Sequence, residues 1–154
     1  MKVLMVCLGN ICRSPLAEGI ASHIAKDRGL DWQIDSAGTS GWHDGSPPDQ
    51  RSIATARDFD IDITKQVSRK LTKQDFLDYD ILVAMDAQNY QDIRRLDPIR
   101  AEGKLHLMMN FLHPNVNEPV PDPYYGGADS FKKVAEMLFE ACGAMIDQLD
   151  KTSA

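Results

Sequence analysis

Val3-Leu4-Met5-Val6-Cys7-Leu8-Gly9-Asn10-Ile11-Cys12-Arg13-Ser14-Pro15 is the stretch that decides the architecture. Val3 to Val6 is a short apolar run that reads as a buried strand. A helix should follow, with Ser14 as N-cap, Pro15 at its first position and Glu18 adding negative charge to its opening turn. Cys7 then ends a strand, Arg13 opens a helix, and Leu8 to Cys12 turn between them. Gly9 and Asn10 tolerate the positive φ values that such a turn needs. A loop of this kind aims successive backbone N–H groups inward and adds the positive end of a helix dipole. It is an anion cradle with a thiol at one rim and a guanidinium at the other.

Working outward, the first helix should run from Ser14 to about Arg28, with Leu16, Ile20 and Ile24 on one stripe and Gly29 ending it. Trp32 to Asp35 alternates and predicts a second strand. Ser36 to Pro48, rich in Gly, Pro and Ser/Thr, predicts loop. Asp49 can cap a helix through about Asp58, and Thr72 to Asp75 resembles a capping box before Phe76 and Leu77. Asp80 to Met85 reads as a central strand, apolar on both faces, after which Asp86 caps a helix that ends before Pro98. Leu105 to Met108 reads as a fourth strand, His113 to Gly127 as an extended loop, and Ser130 to about Leu149 as a last helix with Cys142 on its apolar stripe. Strands and helices therefore alternate. They predict an α/β fold: one domain over residues 1–154, with a four-stranded parallel sheet covered by helices on both faces. In such sheets ligands sit beyond the carboxyl ends of the strands. Cys7, Trp42, Asp86 and Asp122 each follow a different strand, so all four should meet on one rim.

Composition narrows the function. At 154 residues the chain can bury a proper core, and no apolar run is long enough to span a bilayer. No signal-peptide pattern precedes Cys7, and three cysteines make no secreted disulfide framework, so a cytoplasmic location is expected. A net charge of −6 argues against nucleic-acid partners and requires any phosphate site to be locally positive. His23, His43, His106 and His113 share no spacing, and Cys7-x4-Cys12 lacks a partner pair, so no metal site is expected.

The Cys-x5-Arg-Ser pattern closely resembles the active-site signature of low-molecular-weight protein tyrosine phosphatases. The resemblance extends through Asp35-Ser36-Ala37-Gly38-Thr39-Ser40-Gly41-Trp42, Met85-Asp86 and Asp122-Pro123-Tyr124-Tyr125-Gly126. It implies a flavodoxin-like three-layer sandwich. It implies Cys7 as nucleophile, Arg13 as phosphate clamp and Asp122 as acid and base. Leu8, Gly9, Asn10, Ile11, Cys12, Arg13 and Ser14 would form the phosphate-binding loop, with Ser14 bonded to the thiolate and Asn10 bracing. The residue types fit that chemistry. A thiol near a helix N-terminus and a cation is activated, the planar Arg fork matches two phosphate oxygens, and a protonated Asp can serve the leaving oxygen. No metal or other cofactor is required, because Arg13 and the amides would occupy a cation's electrostatic role. Trp42, Tyr124 and Tyr125 offer a rim on which an aryl ring can stack, so phosphotyrosine-containing proteins are the expected partners. Cys12 is positioned to trap an oxidised Cys7 as a disulfide.

One departure stands out. Many eukaryotic members carry Ser-His where this chain has Lys65-Gln66, so Gln66 must substitute in bracing or the bracing differs. The competing readings are an arsenate reductase on the same fold and a non-catalytic phosphoprotein binder. A monomer or weak self-association through the rim aromatics is expected.

Overall fold

The computed structural model describes residues 1–153, with side chains through residue 150. Four strands form one all-parallel sheet: β1 (Lys2–Cys7), β2 (Gln33–Gly38), β3 (Ile81–Ala84) and β4 (Leu105–Leu107), in the order β2-β1-β3-β4. The helices are α1 (Arg13–Asp27), α2 (Gln50–Asp58), α3 (Asp75–Asp78), α4 (Ala87–Leu96), α5 (Pro98–Ala101) and α6 (Ala128–Ser153), with a 3₁₀ turn at Met108–Phe111.

The strand order follows from the connections. Chain growth moves from β1 to β2 in one direction and from β3 to β4 in the other. Right-handed crossovers then place α1 and α4 on opposite faces. The central strands β1 and β3 are thus apolar on both sides. Val3, Met5, Val83 and Met85 point into one core layer with Leu16 and Ile20 of α1 and Leu138 and Cys142 of α6. Leu4, Val6, Leu82 and Ala84 point into the other with Phe76 and Ile93. The fully buried Phe76 and Leu138 each contribute roughly 1.5–3 kcal/mol through apolar burial. The three-layer α/β sandwich is therefore as expected, and the direction of winding reverses between the paired strands β1 and β3.

The local differences have physical causes. β2 runs three residues past Asp35, through small residues with no alternation. Pairing decides that: Ser36, Ala37 and Gly38 match Met5, Val6 and Cys7, while Gly38 also bonds Arg69 and Leu71 on its outer side. α1 begins at Arg13, so Ser14 is not the N-cap, and Glu18 lies beyond the first turn. Asp49 and Asp86 do cap α2 and α4, accepting from Arg51 N and Asn89 N. Gly29, at φ 70°, closes α1 as the residue after its cap. The last helix starts at Ala128 and extends to Ser153, beyond both expected ends. α5 and the 3₁₀ turn had no periodic signal, being about one turn each.

Candidate active site

β1 carries Cys7 to the carboxyl edge of the sheet, where it is 3% exposed. Between it and α1 the backbone turns through Asn10, whose φ of 57° is a left-handed conformation that Asn tolerates. Gly9 does not have a positive φ, contrary to expectation. Its lack of a side chain lets His43 pack closely, since a Cβ there would stand 3.1 Å from the His43 ring.

The loop's carbonyls are engaged by its surroundings. Cys7 O and Leu8 O accept from Thr39 N and Ser40 N, each at 2.9 Å. Gly9 O accepts from Ser68 Oγ at 3.1 Å, Ile11 O from Asp49 N at 2.8 Å and Cys12 O from Ser52 Oγ at 3.4 Å. Among the described residues, the N–H groups of Leu8 to Cys12 donate to no protein acceptor. The first-turn N–H groups of Arg13 and Ser14 have no partner within the helix by its geometry. Carbonyls tied outward and amides left free make an anion-binding nest.

Asn10 and Ser14 stand behind this nest. Asn10 Nδ2 donates to Ser14 Oγ at 2.8 Å and to Ser36 Oγ at 3.0 Å, while Oδ1 accepts from Arg69 N at 3.1 Å. Ser14 Oγ lies 3.0 Å from Cys7 Sγ. Its oxygen already accepts from Asn10, so its own proton is free to be donated to the sulfur. Gln66 bonds elsewhere, its Nε2 donating to Pro15 O at 3.1 Å. The bracing that the family departure put in question is supplied here by Arg69 N and Ser68 Oγ.

Arg13 is 3% exposed and held by groups from the segments that follow β3 and β4. Its Nη1 donates to Asp86 Oδ2 at 2.6 Å and to the Val120 carbonyl at 3.0 Å, and its Nη2 lies 3.9 Å from Asp122 Oδ2. Asp122 Oδ1 accepts from Tyr124 N at 3.1 Å, which leaves Oδ2 facing the cleft's cation. The cleft has a volume of about 210 Å³ and is lined by Cys7, Leu8, Gly9, Ile11, Cys12 and Arg13, with Trp42, His43, Asp122, Tyr124 and Tyr125 around them. Trp42 is 81% exposed and Tyr125 95% exposed, and the Tyr124 and Tyr125 rings meet edge to face at 5.0 Å. A larger polar groove of about 590 Å³, between α1 and residues 60–67, holds Glu18, His23 and Gln66 and none of these cleft groups.

Burial shapes the neighbouring titrations. The Cys12 thiol is pushed up to about 12, first by burial and then by the charges of Asp49, Cys7 and Asp122. The buried Cys142 thiol is also pushed up to about 12. Burial raises Glu18 to about 7, against the pull of its 2.7 Å hydrogen bond from Ser36 Oγ.

The structure thus brings Cys7, Arg13, Asp122, Trp42, Tyr124 and Tyr125 to one cleft, with Asp86 bracing it. His43 and Val120 were not singled out by the sequence. His43 follows Trp42 in a glycine-containing loop, the one signal that could have found it. Val120 acts through its backbone and leaves no signal.

The family model described as low molecular weight phosphotyrosine protein phosphatase matches residues 2–154. A Schizosaccharomyces pombe low molecular weight phosphotyrosine protein phosphatase is 42% identical over 134 residues, 85% of each chain. A crystal structure of an Entamoeba histolytica protein tyrosine phosphatase superposes with a TM-score of 0.93 at 35% identity, covering 100% of this chain and 99% of that one. A Drosophila arginine phosphatase superposes at 0.89 with 31% identity, covering 97% and 98%. With this match along nearly its whole length, the chain belongs to the low molecular weight phosphotyrosine protein phosphatases, a family of hydrolases.

Proposed function

We propose that this hydrolase acts on phosphotyrosine in proteins, and on small aryl phosphates, through a covalent phosphocysteine intermediate and without a metal. The observation that carries the reading is the convergence of Cys7, Arg13 and Asp122 on one cleft floored by unpartnered amides.

Cys7 Sγ attacks phosphorus as the P–O bond to the phenolic oxygen breaks. Asp122, protonated at Oδ2, gives its proton to that leaving oxygen. In the second step the Asp122 carboxylate takes a proton from water, the water oxygen bonds to phosphorus, and the S–P bond breaks to return the thiolate and inorganic phosphate. Ser14 Oγ supports the thiolate form of Cys7 by donating to it. Arg13 and the nest amides stabilise charge on the equatorial oxygens, and Asp86 with Val120 O keeps the guanidinium aimed. These donors occupy the electrostatic role of a metal cation. Trp42, Tyr124 and Tyr125 favour an aryl ester, each aromatic pair contributing roughly 0.5–1.5 kcal/mol.

The cytoplasm, a reducing compartment, suits a thiol nucleophile. Under peroxide, Cys7 becomes a sulfenic acid. Cys12, in the same cleft, then displaces water to form a disulfide. An arsenate reductase needs further cysteines in a mobile segment, whereas Cys142 is fully buried in α6 against Ala17 O.

The test is hydrolysis of an aryl phosphate and of phosphotyrosine, phosphoserine and phosphoarginine peptides, with a chelator present. Wild type, Cys7→Ser and Asp122→Ala are compared. Activity on the aryl phosphate and the phosphotyrosine peptide, abolished in Cys7→Ser, is expected. Activity that survives Cys7→Ser refutes the mechanism, and preference for phosphoarginine reassigns the substrate.

A further inference from the structure

Asp122 sits in a segment with little of its own to hold it. Residues 112–127 contain no helix or strand. Val120 pins the approach, its N–H bonded to Met85 O and its side chain fully buried. Beyond Asp122 the backbone makes only local turns, with Gly126 N donating to Pro123 O at 2.9 Å. One outside side chain reaches in. Arg51 Nη1 donates to Tyr124 O at 2.8 Å and to Gly126 O at 3.3 Å, and its guanidinium lies 5.3 Å from the Tyr124 ring centre and 4.6 Å from that of Phe131. Among the described residues, no other side chain hydrogen-bonds to the carbonyls of residues 121–127.

The other end of the connection is in the phosphate loop. Arg51 Nε and Nη2 form a fork on Asp49, at 3.0 and 2.9 Å, which holds that carboxyl below its usual range. Asp49 N in turn donates to Ile11 O at 2.8 Å. An unbroken path therefore runs from Ile11 through Asp49 and Arg51 to the backbone on the far side of Asp122. Its members are a backbone amide, a two-point ion pair and a guanidinium flanked by two rings. Neither Asp49 nor Arg51 lines the cleft.

We propose that Asp49 and Arg51 are positioning residues, a strut that fixes the distance between the loop carrying Cys7 and the segment carrying Asp122. The strut acts on proton delivery and leaves the nucleophile and phosphate clamp in place. This rests on the reading of Asp122 as the proton donor. A leaving group that departs unaided should therefore be indifferent to the strut, and one that needs protonation should not.

The experiment measures kcat/KM for phenyl phosphate and for nitrophenyl phosphate in wild type, Arg51→Met and Asp49→Asn. Each variant is also made in the Asp122→Ala background. Arg51→Met should lose about tenfold on the phenyl ester and under about threefold on the nitrophenyl ester, part of the roughly 10²–10⁴ that a general acid supplies. In the Asp122→Ala background the same change should add less than about twofold, because the proton it positions is gone. Amide hydrogen exchange at residues 124–126 should quicken while that of β1 does not. If Arg51→Met fails to fold, Arg51→Lys, which keeps the charge without the fork, should show the same selectivity at smaller size. Equal losses on both esters, full additivity with Asp122→Ala, or unchanged exchange at residues 124–126 overturns the strut. A wild type without Cys7-dependent turnover would instead overturn the functional reading on which it rests.

Discussion

Asp86 does two jobs with two oxygens, and substitution can separate them. Oδ1 accepts from Asn89 N at 2.8 Å and caps α4; Oδ2 accepts from Arg13 Nη1 at 2.6 Å. Asp86→Ala removes both. Loss of the cap costs about 1 kcal/mol. Loss of the charged hydrogen bond leaves a guanidinium that is 4% exposed with the Val120 carbonyl as its remaining close partner, which costs about 2 kcal/mol more. The total of about 3 kcal/mol corresponds to a fall in Tm of roughly 6–12 °C for a chain of this size. Asp86→Ser keeps a capping oxygen and should cost about 2 kcal/mol. The assay is urea unfolding of wild type and both variants, with an unchanged m-value required before the midpoints are compared. Both variants should also lose kcat/KM on an aryl phosphate, because Arg13 can then turn toward Asp122, 3.9 Å from its Nη2. Equal stability of the Ala and Ser variants would refute the capping part. A loss below about 1 kcal/mol in Asp86→Ala would show that the ion pair only offsets its own desolvation.

Three further outcomes are expected. Glu18 is raised from 4.5 to about 7 by burial, so between those values the unfolded chain ionises first and binds fewer protons than the folded one. Stability should therefore fall by about 2–3 kcal/mol as pH rises through that window, and Glu18→Gln should flatten the change; an identical pH profile of Tm in the variant would contradict this. A Cβ on Gly38 would meet Leu8 O at 2.8 Å and Gly9 C at 3.1 Å, both backbone. Gly38→Ala should therefore cost about 2–3 kcal/mol and most of the activity, and wild-type stability in thermal unfolding would refute that contact. A small alkylating agent near pH 7.5 should modify Cys7 well before Cys12 and Cys142, both raised to about 12, as read by peptide mass mapping. Comparable rates at Cys7 and Cys12 would contradict it.

The sheet was legible because its strands carry their own signal: Val3 to Val6 and Ile81 to Ala84 are apolar on both faces. The parts of the site that lie next to one another in sequence, Cys7 through Ser14, were legible for the same reason. Ser14 is not the N-cap because α1 already begins at Arg13, and its hydroxyl lies instead 3.0 Å from the Cys7 sulfur. What could not be read depends on distant backbone. The Val120 carbonyl on Arg13, the Arg69 N–H on Asn10 and the last residues of β2 are fixed by tertiary pairing, which no periodicity encodes.

The braces of the Cys7 loop come from far along the chain, and this bears on how the protein is made. Asn10 finds Ser36 26 positions later and Arg69 59 positions later, and Arg13 finds Asp86 after 73 and Val120 after 107. During synthesis the thiol leaves the ribosome before every one of these supports. A nascent chain therefore carries the Cys7 loop without its braces, and the cradle is complete only when the fourth strand and the segment after it have closed over it.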